Sequence, residues 1–304
     1  HIPKEEKELK KLLLGNEAIA RGAYEAGVRV SSAYPGTPST EINENVATYP
    51  EIYSEWAPNE KVAVEVALGA AVSGARSLAC MKHVGLNVAA DPFFTATYTG
   101  VNAGMVVVVA DDPGMHSSQN EQDTRMLARA SHAPVLDPSN SQECKDFLKL
   151  AYEISEKYDT PVILRVTTRI AHARTLVELD ERVEVPLREY KRDIKKYVSM
   201  PANMIARHLY VEEREKKLAE DANTLPINRI EWADRKIGVI TSGAAYNYVK
   251  EAMPTASVLK LGLAYPMPRK LIEEFAAGVD TLYVIEDMEP FYEDTIKSLS
   301  LIHI

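Results

Sequence analysis

A chain of 304 residues, 46% of them hydrophobic, is long enough for two globular units and apolar enough to bury a core in each. A formal net charge of −9 argues against nucleic acid as a main partner, and no uninterrupted apolar run is long enough to span a membrane. Cys80 and Cys144 are too few for a disulfide-stapled fold or for a metal or iron–sulfur centre built from several cysteines, which points to the reducing cytoplasm.

The start, His1-Ile2-Pro3, lacks an initiator Met and reads as a cut end, and no basic-then-apolar secretory signal follows it. From there strand-like and helix-like stretches alternate. Residues 16–27 carry apolar side chains at helical spacing and end on Gly27, a suitable C-terminal cap. Residues 28–34 read as a strand, a polar helix starts at about Thr40, 51–57 is a strand, and 61–74 is a helix rich in small residues. A strand over 76–83 and a helix over 87–100 follow. GMVVVVADD (104–112) is continuously apolar and β-branched, the look of a strand buried on both faces in a parallel sheet. Helices over 119–131 and 141–157 and a strand over 161–169 complete the set. The alternation predicts a doubly wound α/β domain with a mainly parallel sheet over residues 1–173.

Residues 174–235 crowd charges together, as in KRDIKKY (191–197) and VEEREKKLAED (211–221); the second run predicts a solvated helical connector. A second, smaller α/β domain is expected over 236–304, with strands at 237–243, 257–262 and 281–287. Helices at about 245–252, 268–277 and 290–299 lie between and after them, and the domain reads as truncated.

Common phosphate-binding and nucleophile motifs are missing: there is no GxxxxGK[ST], GxGxxG or GxSxG. The TSG turn (241–243) suits an anion or is a plain tight turn. YPGTPST (34–40) is more unusual. Pro35 and Pro38 fix φ there, Gly36 relieves strain, and Ser39 or Thr40 caps the next helix. The same corner can present Thr37 to a ligand. Glu65 interrupts the small and apolar run VAVEVALGAAVSGA (62–75), with Val62, Val66 and Gly69 on its side of the helix. A carboxylate there points outward at a helix edge, or sits in a dry place where it shares a proton with a partner such as a heterocyclic ring nitrogen.

The YPGTPST corner, EVALGAAVSGA (65–75), KHVGLNVAADP (82–92) and DDPGMHSSQNEQDTR (111–125), in that order, carry a resemblance. The chain resembles the pyrimidine-binding domain of the thiamine diphosphate-dependent 2-oxoacid:ferredoxin oxidoreductases, and within them the large subunits of the indolepyruvate branch more than the pyruvate enzymes. Residues 236–304 resemble a transketolase C-terminal-type domain. The resemblance implies that Glu65 hydrogen-bonds the cofactor's aminopyrimidine ring and so promotes proton loss at the thiazolium carbon. It implies that Thr37 contacts the substrate carboxylate, with Tyr34, Pro35 and Gly36 shaping the wall beside the cofactor. His83 and His116, each after a strand, are candidate contacts to the substrate's aromatic group or carboxylate. Lys82 and Arg125 are anion partners or surface charges; Asn87 and Asp91 face the cleft, or Asn87 caps a helix.

The implied activity converts an aryl-2-oxoacid such as indolepyruvate, coenzyme A and oxidised ferredoxin to an aryl-acyl-CoA, CO₂ and reduced ferredoxin. It implies a hetero-oligomer with a beta subunit. The sequence departs from the family pattern in two ways: the GDG stretch that holds the diphosphate and Mg²⁺ is missing, and so are the cysteine-rich segments that hold [4Fe-4S] clusters. The main cofactor anchors and the clusters are therefore expected in other domains, no metal ligands are expected here, and this chain is expected to be an N-terminal portion, inactive alone. A pyruvate or branched 2-oxoacid enzyme, a non-catalytic assembly module and a nucleotide-binding α/β enzyme unrelated to thiamine are the other readings.

Overall fold

A computed structural model describes residues 9–299; the reading of His1-Ile2-Pro3 lies outside the described residues. In chain order the elements begin with β1 (Lys10–Leu14), α1 (Gly15–Glu25), β2 (Val30–Ala33), α2 (Thr40–Val46), β3 (Tyr53–Trp56) and α3 (Glu60–Val72). β4 (Ser77–Lys82), α4 (His83–Val88), α5 (Ala90–Thr99), β5 (Met105–Asp111), α6 (Thr124–Ser131) and β6 (Val135–Leu136) follow. Next come α7 (Ser141–Tyr158), β7 (Val162–Thr167), α8 (Thr168–His172), β8 (Arg174–Glu178), α9 (Ile194–Tyr197) and α10 (Pro201–Asp221). The last are β9 (Arg229–Glu231), β10 (Asp234–Thr241), α11 (Gly243–Ala252), β11 (Ala256–Lys260), β12 (Leu263–Tyr265), α12 (Arg269–Ala277), β13 (Thr281–Ile285) and α13 (Phe291–Ser298).

The expected α/β fold is found. Seven strands form one sheet in the order β12-β6-β7-β5-β4-β2-β3, and β13-β10-β11-β9 form a second. All pairings in the large sheet are parallel except β12 with β6. β5 lies at its centre, between β4 and β7, with every residue buried, as its unbroken apolar sequence requires. β4 and β7 are buried throughout as well. One apolar layer joins α1, α2 and α7 to this sheet through Ile19, Ile42 and Leu148. The other layer includes Val64, Leu86 and Phe93 together with Ile240, Leu259 and Phe275 of the second unit, so the two sheets share a core.

Several local expectations change. The helix expected over 119–131 starts only at Thr124, because Asp123 caps it by accepting from the Arg125 amide at 2.9 Å. The helix expected over 87–100 is two, α4 and α5, meeting at Ala89. α10 is helical but not merely solvated: Arg214 is buried and its Nη1 donates to the carbonyls of Thr97 and Asp159, both at 3.0 Å, beside buried Val211 and Leu218. β9 leaves the charged stretch to pair with β11, and β12 crosses from the second unit to the edge of the large sheet. Gly27, at φ +71, ends α1 as expected.

Candidate active site

β2, β4 and β5 lie side by side and parallel, so the segments leaving their carboxyl ends emerge together. These segments are the Tyr34–Thr40 corner, Lys82–His83 and the loop 112–123. Side-chain bonds tie them into one edge. Ser117 Oγ donates to the Thr37 carbonyl at 3.3 Å, and Lys82 Nζ donates to the Ser117 carbonyl at 2.8 Å. The corner itself is built from its hydroxyls. The Gly36 amide donates to Thr40 Oγ1 at 2.9 Å, and Ser39 Oγ donates to the Gly36 carbonyl at 2.8 Å. Ser39 holds the N-cap position of α2 but its side chain makes no cap bond, so both hydroxyls serve the turn instead of the helix. Asn16 Nδ2 braces the corner from α1, donating to the Pro38 carbonyl at 2.8 Å. The Thr37–Pro38 peptide is cis. Gly36 is not in the left-handed region, so its expected strain relief is not needed; it lies against the Lys82 side chain, where an added Cβ would stand 3.5 Å from Lys82 Cβ. Tyr34, Pro35 and Thr37 are exposed.

Asp112 organises the loop. It accepts from the Ser117 amide at 2.8 Å, Ser118 Oγ at 2.7 Å and Thr168 Oγ1 at 2.8 Å. Burial pushes its pKa up, but these donors and the nearby Lys82 ammonium outweigh that and hold the carboxyl well below the usual carboxylate range. His83 is only 2% exposed beneath the same loop, with Nε2 3.1 Å from the Asn120 carbonyl. A carbonyl only accepts, so Nε2 carries a hydrogen; Nδ1 is buried and has no partner among the described residues. His116, by contrast, is exposed.

Glu65 is exposed. α3 buries Ala63, Val64, Ala67 and Ala71 against the sheet, which turns Glu65 to the other side of the helix beside exposed Lys61 and Gly69 and half-buried Val62 and Val66. Of the two placements open from sequence, the outward one is found, and the described residues supply no dry surroundings: an added Cβ at Gly69 would meet nothing within 4 Å. Among the described residues the Glu65 carboxylate makes no hydrogen bond or ion pair, so it is available to a ring nitrogen brought to this face.

Lys82 is not a surface charge; it is 8% exposed and committed to Ser117. Arg125 is fully buried and committed too, to Asp123 at 2.6 Å, Glu286 at 2.8 Å and the Asp287 carbonyl at 2.7 Å. It joins the two sheets and is closed to a substrate anion. Asn87 is exposed in the last turn of α4 and caps no helix N-terminus, and Asp91 pairs with Lys61 at 2.9 Å.

A cavity of about 650 Å³ opens where the carboxyl ends of β5 and β7 face those of β10 and β13. It is lined by His116 and also by Thr167, Arg169, His172, Ala244, Tyr248 and Asp287, none of which sequence reasoning singled out. The neighbouring TSG turn was the one available signal. Among the described residues no cluster of His, Cys, Asp or Glu is arranged to hold a metal ion, and no helix is long and apolar enough to cross a membrane.

A parallel α/β sheet with its polar corner, loop and cavity at the carboxyl edge defines a ligand-binding α/β protein. Residues 21–228 match the family described as pyruvate flavodoxin/ferredoxin oxidoreductase, thiamine diphosphate-binding, and the chain belongs to that family. It is 47% identical over 303 residues to an indolepyruvate oxidoreductase subunit IorA of Pyrococcus horikoshii, covering 95% of this chain and 47% of that protein. The subunit of the same name from Methanothermobacter thermautotrophicus is 45% identical over 301 residues, covering 96% of this chain and 49% of that protein. The chain thus spans about half the length of the curated relatives it matches. In fold it is similar to a 2-oxoglutarate:ferredoxin oxidoreductase of Magnetococcus marinus, with a TM-score of 0.80 at 19% identity over 95% of this chain and 60% of that one.

Proposed function

We propose that this chain is the pyrimidine-binding part of a thiamine diphosphate-dependent subunit that oxidatively decarboxylates aryl-2-oxoacids, indolepyruvate among them, to aryl-acyl-CoA, with ferredoxin as electron acceptor. The observation that carries the reading is the likeness over about 95% of this chain to subunits named for indolepyruvate. When bound, thiamine diphosphate supplies the electron sink for decarboxylation. Glu65 is the residue that holds a proton at the aminopyrimidine ring; its free carboxylate on an open helix face suits that role. Thr37, exposed on a corner whose backbone is fixed by Ser117 and Asn16, orients the substrate carboxylate, with Tyr34, Pro35 and Gly36 as the adjoining wall. His116 meets the substrate from the open side, while His83 does so only when loop 112–123 lifts.

The water-excluding cover over Glu65, the diphosphate and Mg²⁺ anchors and the [4Fe-4S] clusters belong to other domains or a beta subunit in this reading, and the assembly works in the cytoplasm. The test is anaerobic dye reduction by the complete complex with indolepyruvate, phenylpyruvate and pyruvate, for wild type and Glu65→Gln. Loss of aryl-substrate activity by several orders of magnitude in a folded variant is the expected result. Undiminished activity in Glu65→Gln removes the site, and activity on pyruvate alone moves the chain to the sister enzymes.

A further inference from the structure

The carboxyl ends of parallel strands in both sheets converge on the 650 Å³ cavity, a volume within the usual range for a small organic ligand. Thr167, at the end of β7, lines it and is 2% exposed, yet among the described residues its Oγ1 has no hydrogen-bond partner. A buried hydroxyl left unpaired costs free energy unless something else completes it. Ala244, in the first turn of the ten-residue helix α11, lines it as well. The first amides of a helix have no partner within it, and the helix dipole favours negative charge there. Ser242, the N-cap of α11, does not quench them, because its hydroxyl donates to Asp137.

Arg169 completes the set: it is exposed on the cavity, and among the described residues its guanidinium has neither a hydrogen bond nor an ion pair. His116 and His172 stand at the same wall, the latter 3.7 Å from Glu41. Asp287 is an acid on the same cavity; burial raises its carboxyl above the ordinary range.

We propose that this cavity binds the phosphoryl group of an organic phosphate, with Arg169, the Thr167 hydroxyl and the α11 amides as donors and Tyr248 beside the organic portion. Three kinds of donor converging on one space suit the three terminal oxygens of a phosphoryl group better than the two of a carboxylate. The cavity borders the proposed active site: Pro113 and His116 come from loop 112–123, and Thr168 donates to Asp112.

The test uses the full-length protein as purified with its partners, saturated with thiamine diphosphate and Mg²⁺ so that those phosphates do not compete. Coenzyme A, ADP and inorganic phosphate are titrated by calorimetry against wild type, Arg169→Ala and Thr167→Val. Expected is binding of coenzyme A or ADP that weakens about 10- to 100-fold in Arg169→Ala, the loss typical of a charge-assisted hydrogen bond, and less in Thr167→Val. Coenzyme A and ADP bound alike place the phosphates in the cavity; coenzyme A alone adds its pantetheine arm to recognition. Inorganic phosphate binding with neither nucleotide binding overturns the organic-phosphate assignment. Affinities unchanged in Arg169→Ala, with its melting temperature unchanged, overturn the site. Glu65→Gln reports on the thiamine reading independently, since it touches no residue of this cavity.

Discussion

Lys82 Nζ and the Ser117 carbonyl, 2.8 Å apart, join the end of β4 to the loop that follows β5. Lys82 is almost fully buried, and its ammonium is spent on that carbonyl and on the field of Asp112. The loop carrying His116 is thus held beside the Thr37 corner by this lysine, together with the Ser117 hydroxyl on the Thr37 carbonyl. Lys82→Met keeps the aliphatic stem and removes the donor. The expected cost is about 1–2 kcal/mol, at the low end for a hydrogen bond to a charged group because a buried charge is relieved at the same time. Amide hydrogen exchange over 113–122 should quicken about tenfold while the β5 core stays protected. Unchanged exchange in the loop would show that Asp112 alone holds it.

Asp112 gives this edge a pH dependence. Its folded carboxyl titrates below the unfolded value of 3.8, so it stabilises the fold fully above that value, and the contribution is lost as pH falls through it towards the folded pKa. Asp112→Asn removes the charge. Denaturant melts should show the variant about 1–3 kcal/mol less stable at pH 7, with the gap to wild type narrowing steadily below about pH 4. A gap independent of pH would mean that the carboxylate's charge is not what the Ser117, Ser118 and Thr168 donors recognise.

Glu65 separates stability from function. Exposed and without hydrogen bonds among the described residues, it contributes little to the fold, so Glu65→Gln should leave stability within about 0.5 kcal/mol of wild type. A calorimetric melt of the full-length protein checks this. A drop well beyond that amount would mean that the carboxylate has a structural partner, and any activity loss could then be a folding loss.

The sequence made the strand and helix order legible because its periodicity switches cleanly and β5 is apolar without interruption. It could not place Glu65, because α3 is small or apolar on nearly every side and no stripe marks which face meets the sheet. Strands β6 and β12, two and three residues long, are too short to carry a pattern, so the crossing of the second unit into the large sheet was invisible. Arg125 read as an anion partner or a surface charge because Glu286, one of its partners, lies 161 residues away. The corner, its two hydroxyls and the loop could be found because proline, glycine and serine cluster there. The cavity could not, since Thr167, Arg169, Ala244 and Asp287 come from elements that only tertiary packing brings together.

Arg165 tests that packing. It is fully buried, with Nε 2.6 Å from Asp111 and Nη1 3.1 Å from Asp137, and Asp137 in turn accepts from Ser242 at the start of α11. The guanidinium therefore links the centre of the large sheet to the second unit. Burial already pushes the Asp111 carboxyl up against the pull of Arg165. Arg165→Met leaves two carboxylates without their counter-charge, a change that costs about 3–5 kcal/mol. Asp111 should then hold its proton to higher pH, so the variant loses stability as pH rises and recovers part of it in mild acid. Adding Asp111→Asn removes one stranded charge, and the double variant should be more stable than Arg165→Met at pH 7. Guanidinium melts of the three proteins at pH 5 and pH 8 decide it. Additive losses with no pH dependence would show that Arg165 acts by filling space and not by neutralising Asp111 and Asp137.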